Sequence, residues 1–264
     1  MLEIQDIYKT FNPGTVNEKR ALNGVSFTLE EGDFCTVIGG NGAGKSTTLN
    51  AVAGVWPVDS GKIVIDGQDV SPLPEYKRAA LLGRVFQDPM TGTAASMSIV
   101  ENMALAARRG QRRTLKWSIT KEENERYHEM LKMLDLGLEE RMTAKVGLLS
   151  GGQRQALTLL MASIRKPKLL LLDEHTAALD PKTAAKVLET TDKIIAENGL
   201  TAMMVTHNMK DAISHGNRLI MMDSGRVVLN ISGEEKKKLT IPDLLSRFSA
   251  ASGKEEADDK LLLS

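Results

Sequence analysis

Over residues 1–89 apolar and polar positions alternate with a period of two. Leu2-Glu3-Ile4-Gln5-Asp6-Ile7, Val25-Ser26-Phe27-Thr28-Leu29 and Lys62-Ile63-Val64-Ile65-Asp66 read as strands, with Glu31-Gly32-Asp33 and Asp66-Gly67 as turns. The clear helical piece there spans about residues 47–53. From about residue 98 to 165 the period becomes 3.6, as in Ile99-Val100-Glu101-Asn102-Met103-Ala104-Leu105-Ala106 and Tyr127-His128-Glu129-Met130-Leu131-Lys132-Met133-Leu134. After Lys166-Pro167-Lys168 strands and helices alternate again. Leu169-Leu170-Leu171-Leu172-Asp173 and Thr201-Ala202-Met203-Met204-Val205-Thr206 read as buried strands. Residues 181–196 form an amphipathic helix that Asn198-Gly199 ends. Leu219-Ile220-Met221-Met222-Asp223 and Arg226-Val227-Val228-Leu229-Asn230 form a hairpin across Ser224-Gly225. Apolar strands alternating with helices predict an α/β fold with a parallel sheet, interrupted by a helical insertion.

The tail from Gly233 differs. Glu234-Glu235-Lys236-Lys237-Lys238 is a charge run, residues 241–248 read as a short amphipathic helix, and residues 250–264 are expected to be mobile. Arg108-Arg109-Gly110-Gln111-Arg112-Arg113 is a basic cluster that fits either a solvated loop or a contact with lipid head groups or an acidic partner loop.

A composition of 42% hydrophobic and 26% charged residues in a chain of 264 supports a sizeable core. The formal net charge of zero argues against a protein that coats nucleic acid. A single cysteine, Cys35, excludes an internal disulfide and reads as a small buried residue in a reducing compartment. No apolar run approaches the roughly 18 residues of a membrane span. Met1-Leu2-Glu3-Ile4-Gln5-Asp6 lacks a signal-peptide layout. A cytosolic protein is expected, held by a partner if it works at a membrane.

The chemistry begins at Gly39-Gly40-Asn41-Gly42-Ala43-Gly44-Lys45-Ser46-Thr47, which fits G-x-x-x-x-G-K-[ST]. It follows the apolar run Phe34-Cys35-Thr36-Val37-Ile38 and opens a helix, so backbone N–H groups and a positive dipole end face an anion. Lys45 can reach terminal phosphates and Ser46 can ligate Mg²⁺, which predicts a nucleoside-triphosphate site. Asp173 ends an apolar strand where it can hold the Mg²⁺ hydration shell, and Glu174 is placed to activate water. Leu149-Ser150-Gly151-Gly152-Gln153 opens a second helix with another anion-binding N-terminus.

With that second motif the chain resembles the ATP-binding subunit of an ABC transporter, whose signature is Leu-Ser-Gly-Gly-Gln; the order of motifs agrees over residues 1 to about 232. The resemblance implies a P-loop NTPase (RecA-like) core with an antiparallel β subdomain and an inserted α-helical signature subdomain. The core would comprise residues 1–89 and 166–232, the helical subdomain 90–165, and an accessory tail 233–264. It further implies that Phe11, or less well Tyr8, stacks on adenine, and that Gln87 touches Mg²⁺ and water and hinges the helical subdomain. Asp180 would cross a dimer interface, and His207 would hold the γ-phosphate and orient Glu174. The chain departs from common family wording at His175, Ala177 and Gly40, without loss of a chemical group the mechanism needs; His175 is expected to pack or bond locally.

By the same resemblance two copies close head to tail on two MgATP, each nucleotide lying between Lys45 and Ser46 of one copy and Ser150, Gly151, Gly152 and Gln153 of the other. The expected partners are membrane permease subunits docking near residues 88–98 and, for an importer, indirectly a substrate-binding protein, with no nucleic acid. An importer of amino-acid-like solutes on the inner face of the membrane is the first reading. An exporter or lipid-extracting ATPase and a soluble ABC ATPase in protein or cofactor assembly remain the alternatives.

Overall fold

The computed structural model describes residues 1–111 and 119–252. Two sheets organise them. In the first, β1 (Leu2–Phe11), β2 (Lys19–Leu29), β4 (Ser60–Ile65) and β5 (Gln68–Asp69) lie antiparallel in the order β2-β1-β4-β5. The second has the order β10-β9-β3-β8-β7-β6 and is built from β3 (Phe34–Ile38), β6 (Leu82–Val85), β7 (Leu169–Asp173), β8 (Ala202–Val205), β9 (Arg218–Asp223) and β10 (Arg226–Ser232). β10 is its antiparallel edge strand; β3, β6, β7, β8 and β9 run parallel. The predicted hairpin turn is present, with Ser224 at φ 49° and Gly225 at φ 75°, the left-handed pair a two-residue loop requires.

The continuous apolar runs at β3, β7 and β8 follow from burial on both faces. Leu170, Leu172, Ala202 and Met204 face a core shared with the helical residues. Leu169, Leu171, Met203 and Val205 face a second core closed by the first sheet and by α1 (Lys45–Ala53). The helical side holds α3 (Ile99–Ala107), α4 (Lys121–Lys132) and α5 (Gly151–Ser163), and Ile99, Met103, Tyr127, Leu131, Leu157 and Leu160 fill its interior. α6 (Pro181–Asn198) packs on α5.

Several elements exceed or escape the sequence pattern. β6 was not expected, because Gly83 and Arg84 break its apolar run. The four-residue α2 (Glu75–Arg78) buries Arg78, whose guanidinium donates to Ala51 O at 2.7 Å and Val52 O at 2.9 Å, satisfying the end of α1. Of the basic cluster, Arg108 pairs with Glu123 at 3.0 Å and Arg109 donates to Ala162 O at 3.1 Å, so both tie helices together. Arg112 and Arg113 lie outside the described residues. Cys35 is fully buried, and burial pushes its thiol up to about 12.

The charge run is not uniformly solvated. Residues 234–237 belong to a short helix, α8 (Gly233–Lys237), in which Lys236 is only 2% exposed. Its ammonium donates to His215 O and Gly216 O, and burial pushes it down to about 8. α9 (Ile241–Ser252) runs past the predicted end at residue 248. Its Leu244 and Phe248 join Leu239, Ile231 and Met221 in a third core, together with Met209 and Ala212 of α7 (Met209–Ser214). Residues 253–264 of the stretch expected to be mobile lie outside the described residues. No helix of the described residues is long and apolar enough to cross a membrane.

Candidate active site

The sheet register builds the site. Val37 pairs with Val205, and Val205 with Asp173, so three parallel strands end on one row. Gly39 follows β3 directly, Glu174 follows β7 directly and His207 is the second residue after β8, so all are delivered to one carboxyl edge, where α/β sheets bind ligands. At that edge a cleft of about 220 Å³ is lined by residues 41–47, Phe11, Lys19, Ala21 and Glu174.

Two glycines of the loop, Gly39 and Gly44, are required by close packing. A Cβ on Gly39 would lie 2.2 Å from Met222 O, and one on Gly44, at φ 102°, would lie 2.8 Å from Ala21 O. Gly44 also caps α1 without a side chain, so the N–H groups of that end have no side-chain acceptor and are free to bind an anion. Gly40 tolerates a Cβ. Lys45 Nζ donates to Gly39 O at 2.7 Å and Gly40 O at 3.3 Å, holding the loop closed on itself. Burial lowers its pKa, against the opposing pull of Glu174 and Asp173. Asn41, Gly42, Ser46 and Thr47 line the cleft beside it, with Ala43 buried beneath.

Asp173 accepts from Arg84 Nη2 at 3.3 Å; burial raises its pKa and Arg84 opposes the shift. The same nitrogen donates to Asn50 Oδ1 at 2.7 Å, and the guanidinium lies 4.5 Å from the centroid of the Phe86 ring. Glu174 has φ 45°, a left-handed conformation that turns its side chain off the strand axis, and its N–H donates to Val205 O at 3.0 Å. Its Oε2 lies 3.6 Å from His207 Nδ1. His207 is bracketed by two fixed neighbours: Thr206 N–H donates to Val37 O, and the Asn208 side chain caps α7.

His175 faces away from this group. Its ring is buried and bonds Thr191 Oγ1 at 3.0 Å, while that hydroxyl donates to Val187 O, so His175 Nε2 carries the proton. Burial pushes the imidazole down to about 4, which keeps it neutral. His175→Gln, which retains a donor for Thr191, is expected to leave kcat within about twofold of wild type. A tenfold loss measured by phosphate release would instead make His175 a tuner of Glu174.

The remaining sites lie around the cleft. Phe11 reaches it and meets Trp56 edge-on, ring centroids 4.9 Å apart; Tyr8 does not line it. Gln87 is exposed after β6, in a segment anchored by Gln155 Nε2, which donates to Phe86 O at 3.1 Å. Ser150 and Gln153 form a capping box at α5, each side chain bonding the other's N–H. Gly151 is exposed, and Gly152 lies where a Cβ would come 2.1 Å from Thr183 Cγ2 of α6. Asp180 caps α6 by accepting from Thr183 N at 3.1 Å, and the Thr183 side chain together with that N–H holds its carboxyl below the usual range. None of Ser150, Gly151, Gly152, Gln153 or Asp180 lines the phosphate cleft of its own chain.

Sequence reasoning missed Arg84, Trp56, Gln155 and Arg154. Arg154 is buried and holds the carbonyls of Val146, Gly147 and Leu149, fixing the loop before Ser150. The available signal was a polar residue at an otherwise apolar position, as at Gln155 on α5.

Comparison with known proteins agrees with this geometry. A family model described as ABC transporter matches residues 22–177. The tyrosine transport ATP-binding protein of Clostridioides difficile (strain R20291) is 45% identical over 252 residues, covering 95% of this chain and 100% of that protein. The methionine import ATP-binding protein MetN of Corynebacterium jeikeium (strain K411) is 35% identical over 85% of this chain, which spans only 59% of that protein. Among solved structures, a dimeric ATP-binding cassette in a post-hydrolysis state bound to ADP and Pi superposes with a TM-score of 0.74 at 30% identity, covering 88% of this chain and 98% of that one. With its phosphate loop, acidic strand and signature helix on an ATP-binding-cassette fold, the chain belongs to the ABC transporter family as an ATP-hydrolysing cassette.

Proposed function

We propose that this chain is the ATPase subunit of an importer for amino-acid-like solutes. It works as a head-to-tail pair of copies, bound to a separate permease on the cytoplasmic face of the membrane. One observation carries the dimer: Ser150–Gln153 offer an exposed helix N-terminus outside their own chain's phosphate cleft. A triphosphate held by Lys45 and Ser46 then needs donors for its open face, and the signature helix of a second copy supplies them. The cargo class rests on the relative named for tyrosine transport, matched along its full length, and on the one named for methionine import.

The donors present fit a hard cation. Ser46 Oγ is exposed at the cleft, Asp173 contributes a carboxylate, and Gln87 an exposed amide oxygen. Mg²⁺ is commonly held by one or two carboxylates plus phosphate oxygens. Ser46, Asp173 and Gln87 would hold it, and when bound it offsets the negative charge of the phosphates. Lys45 leaves the carbonyls of Gly39 and Gly40 for the terminal phosphates. Phe11, steadied by Trp56, stacks on the base. Glu174 accepts the proton of the attacking water, and His207 orients Glu174 while donating to the γ-phosphate. Closure depends on the γ-phosphate, so its loss opens the pair.

The test is to recover a tagged Glu174→Gln form from its native membranes in mild detergent with ATP and identify what accompanies it. A multi-span permease, together with loss of labelled amino-acid uptake when the subunit is removed, is the expected result. Recovery from the soluble fraction alone, with a soluble partner or as a bare dimer, would overturn transport in favour of an assembly ATPase. A permease without an uptake defect would favour export.

A further inference from the structure

We propose that the C-terminal helices α8 and α9 position the His207 segment for hydrolysis, with Lys236 as the residue that makes the connection. The inference rests on the reading of His207 as the γ-phosphate contact, and extends the catalytic support to a tail that carries none of the nucleotide motifs.

α7 follows His207 and Asn208 and has only six residues, too few to hold helical form without tertiary support. On its α6 side that support is thin. A groove of about 580 Å³ separates the two, reaching from Glu174 and His207 to Asp192, Asp211 and His215. Across it the His215 ring reaches Asp192 Oδ2 at 2.7 Å. The support therefore comes from the sheet and from the tail. On the sheet side, Thr36 Oγ1 donates to Ala212 O at 2.8 Å. On the tail side, Met209 and Ala212 are buried with Leu239, Leu244 and Phe248.

The end of α7 is the decisive contact. His215 N–H closes the helix on Asp211 O at 3.0 Å, and the chain then turns through Gly216 at φ 72°. A Cβ on Gly216 would lie 2.2 Å from Phe34 O, so this turn is pressed against β3. The carbonyls of His215 and Gly216 receive the Lys236 ammonium. Burying an ammonium is costly unless each of its bonds is made. An apolar side chain would fill the site without that cost, so the position is one where donors to these carbonyls matter. Through Lys236 the tail fixes the end of α7, through Asn208 α7 fixes the corner after Thr206, and His207 sits within that corner, 3.6 Å from Glu174.

Lys236→Met in the full chain tests this, since methionine keeps the packing and removes the donors. Steady-state kcat is expected to fall about tenfold, while KM and the affinity for a fluorescent ATP analogue stay within about twofold. Amide hydrogen exchange over residues 209–216 is expected to rise about tenfold or more, with α1 unchanged. Lys236→Arg, which restores donors, should recover part of kcat. Phe248→Ala removes the same support from α9 and gives the same split should Lys236→Met fail to fold. Wild-type kcat with faster exchange over 209–216 would overturn the proposal, as would a loss shared with faster exchange in α1, which marks general destabilisation. His207→Ala separates the two levels: wild-type turnover in that variant removes the reading of His207, whereas loss there with no effect of Lys236→Met removes only the role of the tail.

Discussion

Glu174→Gln will bind ATP, accumulate as a closed pair and lose hydrolysis by about 10² to 10⁴, equivalent to roughly 3–5 kcal/mol of barrier. The substitution keeps the volume and one carbonyl-type oxygen at the position 3.6 Å from His207 Nδ1, so the corner after β8 has no steric reason to move. It removes the negative charge and with it the ability to take a proton. The backbone that aims this side chain is fixed independently of its charge, by the left-handed φ of 45° and by the N–H donated to Val205 O. The groups expected to bind phosphate, Lys45 and the N-terminus of α1, are not replaced. The measurement is phosphate release alongside size-exclusion chromatography with ATP and Mg²⁺. Undiminished release would assign the base elsewhere, and a monomer that retains ATP would separate nucleotide binding from closure.

The site was legible wherever chemistry sits at the end of a strongly apolar run. The strands at 34–38, 169–173 and 201–206 announce themselves by continuous burial, and their ends carry the loop, Asp173-Glu174 and Thr206-His207. What no local pattern contains is the register that aligns Val37, Val205 and Asp173. That alignment is a property of strand order, which only long-range packing sets. The other omissions share one cause. Arg78, Arg154, Gln155 and Lys236 are buried polar side chains donating to main-chain carbonyls, at the end of α1, before Ser150, at Phe86 and after α7. In sequence such residues look like ordinary solvated positions, because, Arg154 excepted, they satisfy carbonyls of segments remote along the chain. β6 escaped for a simpler reason: Gly83 packs too closely on Ala162 O for a side chain, and Arg84 serves Asp173 and Asn50, so half of the strand departs from the apolar alternation.

Lys45→Ala is expected to fail one step earlier than Glu174→Gln, at nucleotide binding. Lys45 is 7% exposed, and its ammonium donates to Gly39 O and Gly40 O. Truncating one partner of a desolvated, hydrogen-bonded charge pair costs about 2–5 kcal/mol, which corresponds to about 30- to 5000-fold in affinity. Two effects add here. The terminal phosphates lose their charge-assisted donor, and the empty loop loses the internal bonds that keep its N–H groups converged before ligand arrives, so binding must also order the loop. Titration with a fluorescent ATP analogue in the presence and absence of Mg²⁺ measures the loss. A variant that binds with wild-type affinity yet hydrolyses slowly would move Lys45 from ground-state binding to the transition state. Its folding midpoint then decides the cause of any affinity loss: an unchanged midpoint assigns it to the missing ammonium, while a midpoint lowered by several degrees shows that the ammonium also holds the loop together.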